Sequence, residues 1–394
     1  MNLQPETKNK QITVKFQQSN SKLFLVFLFL VISYFTVFGF GLFVISSAQA
    51  LEFSGYYEND LIGLVKKEGT PGIADFNKLR IKADHYFTDK FMLHVEPRYY
   101  LLAASEAMPL ASANDLDQLK FDRAYFKLYS NAANLTLGKQ RIAWGSGYIW
   151  NPTDIFNPFV LAFAVREEDT TNVTAVRVEA PLGEAGGLDA YIVGDKPWEQ
   201  TAKGLRVKNT VGLFDLAASY VDQGTLGHQF GLDVGGDIIK DVGVHCELAL
   251  KTTAEGGAFI QSVWGLEYTF DNGLGLNIEY YFNGRGAKNK ADYDWAALSI
   301  GTLDQLAADY LYIGTTAIIN EITTFKTSVL ANLNDQSWMF YPVYSRNIAQ
   351  NWDLNLEAMV LGGPDDSEFV PPAVWDPNGF GRSKMAQVKL TYNF

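Results

Sequence analysis

The sequence predicts an all-β fold, a transmembrane antiparallel up-and-down β-barrel of eighteen strands, with sixteen also allowed by the count. Three observations predict it. Apolar and polar residues alternate with period two from Leu51 onward. Short and long connections alternate along the chain. The chain ends in an alternating segment that closes on an aromatic residue, Phe394.

Residues 1–22 are polar and carry Lys8, Lys10, Lys15 and Lys22. Residues 23–45 carry no charge, and Ser46-Ser47-Ala48-Gln49-Ala50 follows. A basic start, an apolar core and a small-x-small ending predict an export signal cleaved after Ala50. The apolar core is longer than usual, so an uncleaved anchor is the competing reading. The Ala-x-Ala site and the immediate start of strand alternation favour cleavage. The expected organisation is a signal peptide over 1–50 and one barrel over 51–394.

Period two marks a half-buried strand. Leu274, Leu276, Ile278, Tyr280 and Phe282 share one face, and Asn277, Glu279 and Tyr281 the other. Lys78, Arg80, Lys82 and Asp84 likewise share a face. Strands are expected to start near 51, 73, 91, 118, 133, 171, 187, 203, 213, 227, 241, 259, 273, 308, 322, 336, 351 and 383. Every second connection is short, such as Thr88-Asp89, Gly212 and Asp271-Asn272-Gly273. The long stretches 103–116, 141–170, 285–307 and 363–381 fall in the other set. Tight turns on one rim and long loops on the other are how outer-membrane barrels are built. Closure is required, because an open edge would leave backbone groups unpaired in hydrocarbon.

Composition agrees. The 394 residues are 47% hydrophobic, 19% charged and 14% aromatic. Barrels place Tyr and Trp in interface girdles. Residues 51–394 hold 28 basic and 43 acidic side chains, a net charge of −15, which argues against a nucleic-acid partner. The single Cys246 excludes an internal disulfide and reads as a small packed or lipid-facing residue. Without Cys-x-x-Cys-His the chain attaches no c-type haem, and no cofactor or metal is expected. The four histidines, His85, His94, His228 and His245, stand without a Gly-x-Ser-x-Gly elbow, so an enzyme is not expected.

Residues 138–158 read Gly-Lys-Gln-Arg-Ile-Ala-Trp-Gly-Ser-Gly-Tyr-Ile-Trp-Asn-Pro-Thr-Asp-Ile-Phe-Asn-Pro. This segment resembles one shared by Gram-negative outer-membrane porin-like barrels, including relatives of alginate-export barrels. The pattern is a Gly-(Arg/Lys)-Gln strand end, a Trp-Gly, then Asn-Pro-x-Asp-x-Phe-Asn-Pro. The resemblance implies a passive barrel in the outer membrane. It does not imply alginate. The last strand, Val388 to Phe394, also resembles the signal that the barrel-assembly machinery recognises. Whether such a barrel is a homotrimer or a monomer stays open.

The alternation assigns candidate pore-lining residues. Early strands offer Lys78, Arg80, Lys82, Arg98, Arg123, Lys127, Arg177, Arg206 and Lys208. Later strands offer Glu247, Glu267, Glu279 and Glu357, with Asp233 and Asp353. Glu96, Glu179 and Lys251 break the segregation. A basic wall facing an acidic one would set ion selectivity; the other reading is that these charges pair and hydrate a polar interior. Loop 141–170 is expected to fold inward and narrow the channel. Its candidate constriction residues are Arg141, Trp144, Trp150, Asp154, Arg166, Glu167, Glu168 and Asp169, with Phe156, Phe159 and Phe163 as wall anchors. Arg285, Lys288 and Lys290 are candidates to touch lipopolysaccharide phosphates. The function expected is a passive channel for small polar or charged solutes. The alternatives are a sheath or exporter scaffold enclosing a partner, such as a multihaem cytochrome or polysaccharide machinery, and an outer-membrane enzyme.

Overall fold

The computed structural model describes residues 51–66, 69–105, 119–157, 171–239, 241–376, 381 and 383–394. The expected signal peptide lies outside them. The strands are β1 (Leu51–Val65), β2 (Pro71–Thr88), β3 (Phe91–Ala104), β4 (Leu119–Leu128), β5 (Asn134–Arg141) and β6 (Asn172–Leu182). Next come β7 (Gly186–Val193), β8 (Lys203–Val211), β9 (Phe214–Asp222), β10 (His228–Ile239), β11 (Val242–Thr252) and β12 (Ala258–Thr269). The last are β13 (Leu274–Asn283), β14 (Asp309–Asn320), β15 (Thr323–Asn332), β16 (Trp338–Ala349), β17 (Trp352–Gly362) and β18 (Lys384–Asn393). No strand starts more than two residues from its expected position.

Each strand pairs antiparallel with the next, and β1 pairs with both β2 and β18, so the eighteen-stranded sheet closes. Closure reaches the final residue. Gly55 N donates to Phe394 O at 2.9 Å, and Phe394 N returns the bond to Gly55 O at 3.0 Å. A Cβ on Gly55 would sit 2.8 Å from the Phe394 ring, so a residue without a side chain provides the seat of the terminal aromatic.

The two faces reverse the arrangement of a water-soluble protein. The outward set is apolar and exposed, including Leu61, Phe230, Leu232, Leu250, Trp264, Ile313, Leu356 and Val388. The inward set holds buried Glu58, Lys78, Arg80, Glu96, Glu247, Glu279 and Lys389. An apolar outer band over a polar interior is the surface of a barrel that sits in lipid. Cys246 shares the outward parity with Leu248 and Leu250. The short turns, such as the one at Gly212 (φ 63°), all lie on one rim. The strand ends that the longer connections leave, at Arg141, Asn283 and Gly362, lie on the other. Both barrel termini fall on the short-turn rim.

Candidate functional site

The basic side chains of the early strands project inward, and most meet acids there. Lys78 Nζ lies 3.1 Å from Glu58. Arg80 donates through Nε to Asp122 at 3.1 Å, makes a further short contact with the same carboxylate, and lies 3.1 Å from Glu96. Arg98 shares Asp122 at 3.2 Å. Arg123 lies 3.6 Å from Glu96 and donates to Asn172 at 3.2 Å. Lys127 lies 3.6 Å from Glu179. Arg177 grips Asp189 with two bonds of 2.8 and 2.7 Å, and Arg206 donates to Asp233 at 2.6 Å. The early wall is therefore a belt of paired charge, with lumenal acids interleaved among the cations. Lys82, partly buried on β2, lies next along the same face.

A bulge builds the centre of this belt. Glu96 pairs with Arg123 but Pro97 pairs with Phe121, leaving Asp122 as the extra residue. A bulge shifts the side-chain alternation by one. Phe121 and Phe126, of opposite parity, are thus both exposed, while Asp122 is buried between Arg80 and Arg98.

Beyond β5 the chain leaves the wall. Arg141 ends β5 opposite Asn172, and residues 142–157 make contacts far round the barrel. Trp144 Nε1 donates to Asp189 at 2.7 Å, and its ring packs 4.9 Å from Tyr191. Ser146 N and Gly147 N donate to one Glu247 oxygen at 2.6 and 2.7 Å. Thr153 donates to the other oxygen through N at 3.1 Å and Oγ1 at 2.8 Å. Tyr148 N makes a short contact with Glu279, and Ile149 N donates to it at 2.9 Å. His245 Nε2 meets the same carboxylate at 2.6 Å. Trp150 stacks on Tyr281 at 5.1 Å and donates to Gln305 at 3.0 Å. Gln229 holds Thr153 O at 2.7 Å. Glu279 lies on β13, eight strands from β5 in a ring of eighteen.

The local sequence permits this path. Gly145 has φ 114°, and a Cβ there would fall 2.6 Å from the Glu247 carboxylate. A Cβ on Gly147 would fall 1.9 Å from Trp150 O. Only glycine lets the backbone come so close to a carboxylate. Asp154 ties off the segment. Its oxygens accept from Trp144 N, Phe156 N, Asn157 N and Asn157 Nδ2 at 2.8–3.2 Å. Asn157 Nδ2 also donates to Ile142 O at 2.8 Å, joining the two ends of the stretch. Arg166, Glu167, Glu168 and Asp169, with Phe159 and Phe163, lie outside the described residues.

Two lumenal pockets lie on the short-turn side of this segment. One, of about 570 Å³, is bordered by Trp144, Arg177, Glu179, Asp189, Arg206 and Lys208. The other, of about 290 Å³, lies on the far wall against Tyr148, Glu267, Asn277, Tyr312, Lys326 and Ser328. Nearby, Glu357 pairs with Lys389 at 3.3 Å and accepts from the Tyr341 hydroxyl. On the long-loop rim, Glu368 accepts from Tyr310 OH (2.6 Å), Asn332 Nδ2 (2.8 Å) and Leu306 N (2.9 Å). Burial pushes its carboxyl up to about 7. Arg285 and Lys290 donate to the carbonyls of Thr302 and Asp365, each at 2.9 Å, so both brace this loop cluster.

Sequence reasoning missed Asp122 and Asp189 as counter-ions, and His245 and Gln229 as supports of the segment. It placed Glu247 and Glu279 on the wall without their role toward residues 146–153. Two phenylalanines at opposite parity within one short strand, Phe121 and Phe126, were the available sign of the bulge.

No family model matches the chain, and no curated protein matches it in sequence. Solved structures do resemble it. Pseudomonas aeruginosa OccK11 (OpdR) aligns with a TM-score of 0.61 at 9% identity, over 87% of this chain and 96% of that one. P. aeruginosa OccK2 (OpdF), in a complex with glucuronate, aligns at 0.59 and 11% identity, over 87% and 98%. Acinetobacter baumannii OccAB3 aligns at 0.56 and 11%, over 87% and 99%. The chain has the closed eighteen-stranded fold of these barrels.

Proposed function

We propose that the protein is a porin-like passive channel for small polar or charged solutes in a Gram-negative outer membrane, entered after export and removal of residues 1–50. The observation that carries this reading is the path of residues 144–153. They leave β5 and bond to lumenal carboxylates on β11 and β13, with charged and polar pockets beyond them. A segment tied to the far wall narrows an aqueous lumen without closing the barrel, and side chains at such a narrowing select solutes by size and charge. Arg141, Trp144, Trp150 and Asp154 are its framework. Arg177 and Arg206 on this pocket are paired with Asp189 and Asp233, so Lys208 is the cation that would attract a solute carboxylate. Glucuronate, present in the OccK2 complex, is a compound of that kind.

A segment across the lumen also leaves little room for a partner protein, which disfavours the sheath reading. The apolar band fits outer-membrane lipid and lipopolysaccharide, and the terminal strand fits delivery by the barrel-assembly machinery. Swelling of proteoliposomes containing residues 51–394 tests the channel. Isotonic arabinose or glucuronate should enter and swell them, and raffinose should enter more slowly. Vesicles that hold folded barrel yet stay tight to every solute would refute it.

A further inference from the structure

We propose that the pocket beside Tyr148 is a binding site for a single uncharged sugar ring, a subsite that rests on the channel reading and gives it a substrate class. The pocket lies on the wall opposite the Arg177–Arg206 belt, and its chemistry differs from that belt. Its two ionic side chains are one cation, Lys326, and one anion, Glu267. They cancel, so a charged solute gains no net attraction there.

What the pocket offers instead is aromatic surface beside mixed hydrogen-bonding groups. Tyr148 is 51% exposed, although its own backbone N–H is fixed to Glu279. The Tyr148 and Tyr312 rings lie 5.6 Å apart with planes 34° from parallel, forming an angled platform. Gly314 makes this arrangement fit: a Cβ there would lie 2.4–2.9 Å from the Tyr312 ring, so the missing side chain lets the ring lie along the wall. Asn277 Nδ2 donates to Glu267 at 3.3 Å at the pocket wall. Ser328 Oγ donates to Tyr341 O at 3.5 Å and lies against the Tyr312 hydroxyl.

A pyranose matches both halves. Its C–H face packs on a tyrosine ring, and its hydroxyls both donate and accept. They can donate to Glu267, and accept from Lys326 and Asn277 Nδ2. The volume of about 290 Å³ falls at the lower edge of the roughly 300–1,000 Å³ typical of drug-sized ligands, so it suits one ring rather than a chain.

Saturation-transfer NMR of glucose on the folded barrel in detergent tests the site, alongside single-channel recording of the same preparation. Glucose should bind, with transfer strongest to its ring C–H protons. Tyr148→Ala should weaken binding at least tenfold and Tyr148→Phe should keep it. Neither change touches the backbone bond to Glu279, so the segment stays in place. Asn277→Ala should weaken binding severalfold. Glycerol, which has hydroxyls but no ring face, should show no transfer. Normal conductance with no glucose binding, or equal binding by Tyr148→Ala, overturns the sugar site. Glucose binding to a barrel without conductance would keep the site and remove the channel reading.

Discussion

Removing the Glu247 carboxylate should release the segment that crosses the lumen. Four hydrogen bonds reach this side chain: Ser146 N, Gly147 N, Thr153 N and Thr153 Oγ1. Bonds to a charged group each contribute about 1.5–3 kcal/mol net. The lower value suits a lumen that water can enter, which puts this latch at about 6 kcal/mol. The two bonds from Tyr148 and Ile149 to Glu279 add about 3 kcal/mol on the same scale. Glu247→Ala should therefore shift the docking equilibrium by about four powers of ten, at roughly 1.4 kcal/mol for each. Glu247→Gln keeps an acceptor but loses the charge, and neutral bonds are about half as strong, so about 3 kcal/mol is lost. Hydrogen–deuterium exchange reads the docking directly. The Ser146 and Gly147 amides should be protected in the native chain, partly exposed in Glu247→Gln and fully exposed in Glu247→Ala/Glu279→Ala. Single-channel conductance should rise in the same order while the barrel stays folded. A double variant with native protection and native conductance would refute the latch.

Loop docking on the opposite rim should depend on pH. The Glu368 carboxyl, pushed up to about 7 in the docked loop, returns to its ordinary value near 4.5 when the loop is free. Docking therefore gains a stabilisation that is complete below about pH 4.5 and fades as the pH rises through about 7, worth no more than about 3 kcal/mol. Exchange of the Leu306 amide should speed up between pH 5 and pH 8, corrected for intrinsic rates, and Glu368→Gln should flatten that dependence. Lys208→Glu reverses a charge in the basic pocket, and the reversal potential in a salt gradient should move toward cation preference. Deleting Phe394 removes the final bonds to Gly55 and the ring seated on it, so the yield of heat-modifiable barrel should fall severalfold.

The strands were legible because each one alternates and each short turn carries its own chemistry, as Gly212 and Asp271-Asn272-Gly273 do. The terminal Phe394 was legible as a closing residue, but its seat on Gly55 was not, since the two are brought together only by closure. The bulge at Asp122 escaped because only the first three residues of β4 precede it, too few to set one parity before the alternation changes to the other. Parity offers the cations from Lys78 to Lys208 as candidates for one face, yet it does not pick out the acids beside them, several of which stand two strands away, as Asp122 does from Arg80 and Asp233 from Arg206. The contacts of residues 144–153 were the least legible. Gly147 meets Glu247 across a hundred residues, and no local pattern encodes which carboxylate a glycine-rich turn will reach. The cue in the sequence was the pair of glycines around Ser146, which allows backbone amides to approach an anion.

The channel reading is tested most directly by current through single molecules of folded residues 51–394 in a planar bilayer under a salt gradient. Discrete, reproducible conductance steps, with a reversal potential that moves in Lys208→Glu, are the result expected. A heat-modifiable barrel that inserts and passes no current, even in Glu247→Ala/Glu279→Ala, would contradict it.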